Sequence, residues 1–156
     1  MSRGVSRAEG RMPPEVKTFE VKAEAKSLPS FRKELRSLLE QAGFEAKATH
    51  DFVLSVDEVL ANVIRHGYGG NRGEKIHISF SDLGDRAEIL IEDHGPCFDP
   101  REVPSPELPR EKPGGLGIHL IRTLTDELHY EALKPVGNRL RLVKYKRKKE
   151  NGGLSV

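Results

Sequence analysis

Asp93-His94-Gly95-Pro96-Cys97-Phe98, followed further on by Gly114-Gly115-Leu116-Gly117-Ile118, is the stretch on which the reading of this chain turns. An acidic residue before a glycine bend, then a glycine-rich approach to an apolar helix, suits a purine at one end and phosphates at the other. Each half alone is a weak signal. They gain weight from Glu58-Val59-Leu60-Ala61-Asn62 upstream, because on a helix that spacing puts a carboxylate and an amide on one face.

Working outward from Asp93, the run Ile89-Leu90-Ile91-Glu92 makes it the end of a central strand. Segments Lys75 to Ser81 and Arg86 to Glu92 show strand alternation, and Leu83-Gly84-Asp85 supplies the hairpin turn between them. Upstream, Val16 to Ala23 reads as a strand. Ser27 is placed to cap a helix that Pro29 helps start, with Phe31, Leu35, Leu38 and Leu39 as its buried stripe and Gly43 as its end. A longer helix is expected from Ala46 to His66, its apolar side formed by Phe52, Val56, Val59, Leu60, Val63 and Ile64, ending at Gly67 and Gly69-Gly70. From His94 to Pro113 the prolines and the lack of periodicity predict a long lid-like loop. A short helix over Leu116 to Leu124 follows, then strands over Glu127 to Leu133 and Arg139 to Tyr145 around a Pro135-Val136-Gly137-Asn138 turn. This order predicts a two-layer α/β sandwich with a mixed, mainly antiparallel sheet and helices on one face.

The 156 residues fit one domain, expected over 15–147 between tails at 1–14 and 148–156. The 26 Lys and Arg against 24 Asp and Glu give a net charge of +2 and no reason to expect nucleic acid as a direct partner. Cys97, the only cysteine, has no partner for a disulfide and no companions at zinc spacing, so a reducing compartment is the simpler expectation. No apolar run is long enough to span a membrane, and the N-terminus lacks a signal-like segment; the expected location is cytoplasmic.

Several residues can carry chemistry, and each also has a plainer reading. Ser55, Glu58, Asn62 and His66 form a polar helical stripe that suits a solvated face, with His66 as a terminal cap. The same stripe offers a carboxylate that can accept a proton and an amide oxygen that can bind a hard cation. Asp93 can start a turn or accept the exocyclic amino hydrogen of adenine, where guanine presents an oxygen, and Gly95 lets the backbone approach a base. Phe98 reads as core before stacking platform. Gly114, Gly115 and Gly117 form either a flexible turn or a phosphate cradle at a helix N-terminus, and Arg101, Arg110 and Lys112 on the lid are all able to reach a terminal phosphate.

Taken together, these elements resemble the three boxes of the GHKL ATPase superfamily, which includes gyrase and the histidine kinases. The resemblance covers roughly Val16 to Lys146. Within it, the chain is most similar to the small anti-sigma factor serine kinases. The matching residues are Asp57-Glu58-Val59-Leu60-Ala61-Asn62 leading into Arg65-His66-Gly67-Tyr68, then Phe98-Asp99-Pro100, then Gly114-Gly115-Leu116-Gly117-Ile118-His119-Leu120-Ile121, and the ending Asn138-Arg139-Leu140-Arg141-Leu142-Val143-Lys144. It departs from the family pattern at Cys97, where proline is common, and in a short Pro-rich lid.

The resemblance implies a Bergerat-type ATP site in which Asn62 ligates magnesium and Asp93 reads adenine. Gly95, Phe98, Gly114, Gly115, Gly117 and Ile118 line the nucleotide, and Glu58 is the general base. It further implies transfer of the γ-phosphoryl group to a serine of an anti-anti-sigma (STAS-type) protein, sequestration of a sigma factor, and homodimers as a recurrent assembly. Two other functions fit the same boxes: an ATP-binding anti-sigma module that phosphorylates nothing, and a simple ATPase.

Overall fold

The computed structural model describes residues 15–67, 74–97, 99 and 116–147. Strand β1 (Val16–Lys22) precedes helices α1 (Leu28–Gln41) and α2 (Ala46–Asn62), then β2 (Lys75–Asp82) and β3 (Arg86–Asp93), α3 (Leu116–Leu124), β4 (Glu127–Ala132) and β5 (Asn138–Tyr145). The order expected from the sequence is the order observed, with strand ends moved by a residue or so.

In α1, Leu28, Phe31, Leu35 and Leu39 recur every three to four residues and form the buried stripe. Ser27 was expected to cap this helix with its side chain, and it does not. A 3-10 turn over Ala25–Ser27 precedes the helix instead, and the Ser27 N–H donates to the Glu24 carbonyl at 3.0 Å. The other end is closed by glycine chemistry. Gly43 takes φ 96, its N–H donates to the Glu40 carbonyl, and the Phe44 N–H donates to the Leu39 carbonyl, which together make a Schellman ending.

The second helix was expected to continue regularly to His66. Its α-helical part stops at Asn62, and the last turn, Val63–Gly67, widens into a π-helix. Along α2, Phe52, Val53, Val56, Val59 and Leu60 are buried, and the helix packs against both α1 and α3.

The sheet has the order β1-β2-β3-β5-β4, and each neighbouring pair is antiparallel. The mixed pairing expected is not seen among the described strands, where every neighbouring pair is antiparallel; β3 and β4 nevertheless run in the same direction on either side of β5, joined by a crossover that includes α3. Because directly paired residues share a face, the register aligns Phe19, Ile78, Ile91, Leu140 and Tyr130 in one row across all five strands. The neighbouring row on the opposite face is Glu20, His77, Glu92, Arg139 and Glu131.

One face is thus apolar and covered by the helices, while the other is laced with ion pairs such as Arg139 to Glu131 and Arg141 to Glu88. Burying a side chain such as Phe52, Leu60 or Ile89 contributes about 1.5–3 kcal/mol, whereas an exposed ion pair contributes about 0–1 kcal/mol. The helix side holds the fold together. In β3 the inward positions are Ala87, Ile89, Ile91 and Asp93, so the strand's alternation delivers a carboxylate to the buried face just where the apolar row ends.

Candidate functional site

Asp93 is only 2% exposed, and a carboxylate at that depth requires donors. Its Oδ1 accepts the Gly95 N–H at 2.8 Å and the Asn138 side-chain amide at 3.0 Å. Among the described residues no donor reaches Oδ2. The turn-starting reading of Asp93 is seen in the structure, and the adenine reading requires a further acceptor on the same side chain. Oδ1 starts the turn, and Oδ2 is left as an acceptor for something else.

The turn after Asp93 is clamped by the β4–β5 hairpin. The Gly137 N–H donates to the Gly95 carbonyl at 2.7 Å, and the Cys97 thiol donates to the Gly137 carbonyl at 3.4 Å. Asn138 also donates to the Pro96 carbonyl at 2.8 Å and accepts the Tyr130 hydroxyl at 2.7 Å. Gly137 has φ 117, and a Cβ there would stand 3.0 Å from the Asp93 carbonyl oxygen, so glycine makes this approach without strain and any other residue would make it strained.

The sequence reading put Tyr130 in a strand and Gly137 and Asn138 in the turn that follows it, and named none of the three as a site residue. One signal was present. Asn138 is in phase with Leu140 and Leu142 on β5, an amide at a position where alternation calls for an apolar residue.

On α2, Glu58 and Asn62 are one helical turn apart and half-buried. The adjacent acids differ in occupation. Asp57 pairs with the Arg32 guanidinium at 3.1 Å, while Glu58 has no hydrogen bond or ion pair among the described residues. Asn62 closes the α-helical part, and its Oδ1 accepts from the Arg65 guanidinium at 2.8 Å. That carbonyl oxygen already faces a cationic group.

Among the described residues no cluster of three His, Cys, Asp or Glu gathers to cage a metal. A single amide oxygen fits magnesium nonetheless, since that ion keeps several waters and relies on substrate phosphates. Ser55 leaves the expected polar stripe: it is fully buried and its hydroxyl donates to the Asp51 carbonyl at 2.9 Å, satisfying itself on its own helix. For His66 only the backbone, in the π turn, is described.

The phosphate end is described in part. Gly117 and Ile118 lie in the first turn of α3, which begins at Leu116 and packs on α2. Phe98, Gly114, Gly115 and the lid residues Arg101, Arg110 and Lys112 lie outside the described residues. Among the described residues no helix is long and apolar enough to cross a membrane.

Three comparisons bear on the family and the fold. The family profile of the histidine kinase-like ATPase domain matches residues 21–144. The chain is 32% identical over 102 residues to the serine-protein kinase RsbW of Oceanobacillus iheyensis, covering 60% of this chain and 65% of that one. It is 28% identical over 125 residues to the serine-protein kinase RsbW of Listeria innocua, covering 73% and 79%. The fold matches the crystal structure of the RsbU and RsbW domains of a Mycobacterium tuberculosis protein with a TM-score of 0.59 at 17% identity, over 89% of this chain and 34% of that one. It also matches the histidine kinase domain of a blue-light activated kinase from Erythrobacter litoralis with a TM-score of 0.51 at 18% identity, over 76% and 61%. The chain thus spans just under two thirds of the Oceanobacillus relative and about a third of the Mycobacterium chain. With the family profile matched over most of its length, the chain belongs to the histidine kinase-like ATPase domain family.

Proposed function

We propose that this chain is an ATP-dependent protein serine kinase acting on a small anti-anti-sigma protein of the STAS type, and that it alternatively sequesters a sigma factor. The observation that carries the kinase reading is Glu58. It is a half-buried carboxylate without a partner among the described residues, one helical turn before Asn62, beside an aspartate that is already paired. Similarity to proteins named serine-protein kinases supports the same class of reaction.

In this reading Asp93 Oδ2 accepts the exocyclic amino hydrogen of adenine, and the backbone at Gly95 lies against the base. Asn62 would hold magnesium through its amide oxygen, and the ion, when bound, neutralises charge on the terminal phosphates. The phosphates would meet Gly114, Gly115 and Gly117 at the start of α3, where free amides and the helix dipole favour anions. Phe98 and Ile118 would line the nucleotide, and one of Arg101, Arg110 and Lys112 would close over it.

Glu58 then accepts the proton of the substrate serine hydroxyl as that oxygen bonds to the γ-phosphorus. The bond from γ-phosphorus to the bridging oxygen breaks, and ADP leaves with its electron pair. Such transfer depends on positioning and charge neutralisation rather than on covalent work by the protein. Its setting would be the cytoplasm, as a homodimer.

Incubation with γ-labelled ATP, magnesium and a candidate anti-anti-sigma protein should label a serine of that protein. A partner that binds the chain but acquires no label removes the kinase claim and leaves an ATP-binding sequestering module.

A further inference from the structure

We infer that Asn138, oriented by Tyr130, is the residue that sets the adenine preference of the base pocket. This rests on the reading of Asp93 as the adenine acceptor. Asn138 is 5% exposed, and each of its polar side-chain atoms is spoken for. Its Nδ2 donates to Asp93 Oδ1 and to the Pro96 carbonyl, and its Oδ1 accepts from the Tyr130 hydroxyl.

An amide has one donor end and one acceptor end, and its orientation is otherwise free to flip. Here a flip would set Oδ1 against the Asp93 carboxylate and the Pro96 carbonyl, placing acceptors on acceptors. Of these contacts to Asp93, Pro96 and Tyr130, only that to the Tyr130 hydroxyl could adapt, because a hydroxyl serves either role.

The consequence falls on Asp93. With the donor end of Asn138 and the Gly95 N–H both on Oδ1, the carboxylate cannot rotate without losing two buried hydrogen bonds, so Oδ2 stays aimed as the remaining acceptor. An acceptor held in place favours the amino group of adenine and opposes the carbonyl oxygen that guanine presents there. Selectivity between two purines is the property a fixed, fully bonded neighbour confers, because a loose carboxylate could turn its unfavourable oxygen away. Asn138 also ties Pro96, and through it the turn that the base lies against, to the same strand. It touches no reacting atom and acts as a positioning residue.

The test is binding of mant-ATP and mant-GTP, followed by fluorescence titration, to the wild type and to the Asn138→Leu, Asn138→Thr and Tyr130→Phe variants of the full chain. Asn138→Leu should weaken mant-ATP binding about 10- to 100-fold, as expected when a buried charged group loses a donor, with a much smaller change for mant-GTP. The selectivity ratio therefore contracts. Asn138→Thr, which can still donate one hydrogen bond, should recover part of it. Tyr130→Phe keeps the ring and the fold, and it should contract the ratio about 3- to 10-fold by freeing the amide to flip.

Equal loss of both nucleotides in all three variants would mean a merely structural role and overturn the inference, as would wild-type selectivity in Asn138→Leu. A wild type that binds neither nucleotide overturns the reading of Asp93 itself, and that result is distinct from the other two.

Discussion

At Gly137 a single hydrogen atom stands where any other residue would place carbon. The φ of 117 strains any side chain there, and the Asp93 carbonyl oxygen at 3.0 Å and the Leu133 Cβ at 3.1 Å would have to give way to it. Gly137→Ala should cost more than about 1 kcal/mol in urea unfolding and should also weaken nucleotide binding if the proposed site is right, since strain there is passed to the turn at Asp93 and Gly95. Unchanged nucleotide affinity in a destabilised variant would separate the hairpin from the site.

The contrast between neighbouring acids makes a second expectation. Asp57→Asn breaks a partly exposed pair with Arg32 and should cost less than about 1 kcal/mol without affecting transfer, whereas Glu58 is expected to matter for transfer and little for stability. At this scale the sequence showed Asp93 because an apolar strand runs straight into it. Asn138 stayed hidden because its importance lies in a contact 45 residues away along the chain, which no local pattern reports.

Among the elements, α2 links the core to the chemistry. Leu60 lies between Glu58 and Asn62 in sequence and, at 1% exposed, belongs to the core cluster, while they are half-buried. Leu60→Ala should destabilise by about 2–5 kcal/mol in chemical denaturation, and the cavity it leaves under the helix should reduce nucleotide affinity as well. The helix itself was legible from its period of apolar residues. Its π ending was not, because no breaker residue before Gly67 marks the place where the helix widens.

The β4–β5 hairpin carries the clearest electrostatic signature. Hydrogen bonds from His129 and then Tyr145 hold the Glu127 carboxyl below its ordinary value. A carboxylate lowered on folding adds stability above its ordinary pKa and loses it as the pH falls through the folded value. Glu127→Gln should therefore be slightly less stable than wild type at neutral pH, with the gap closing as the pH falls below 4.5, and the effect stays small because the group is exposed. Thermal melts across that range check it.

For the whole molecule, the two-layer architecture was readable from the alternation of strands and helices, and the antiparallel pairing throughout corrects the mixed sheet expected. In the proposed reading the nucleotide binds to the folded chain through residues of β3 and α2, so a ligand bound there should stabilise the entire fold. ATP with magnesium at about one hundred times its dissociation constant should contribute about 2.7 kcal/mol, or roughly 5–10 °C in melting temperature for a domain near this size, and GTP should contribute far less.

The central claim is that Glu58 serves phosphoryl transfer from a nucleotide held by Asp93 and Asn62. The most direct measurement compares wild type with Glu58→Ala for both serine labelling of the anti-anti-sigma protein and mant-ATP affinity. The expected result is a fall of about 10²–10⁴ in the labelling rate with nucleotide affinity nearly unchanged. Labelling at the wild-type rate in Glu58→Ala would contradict it.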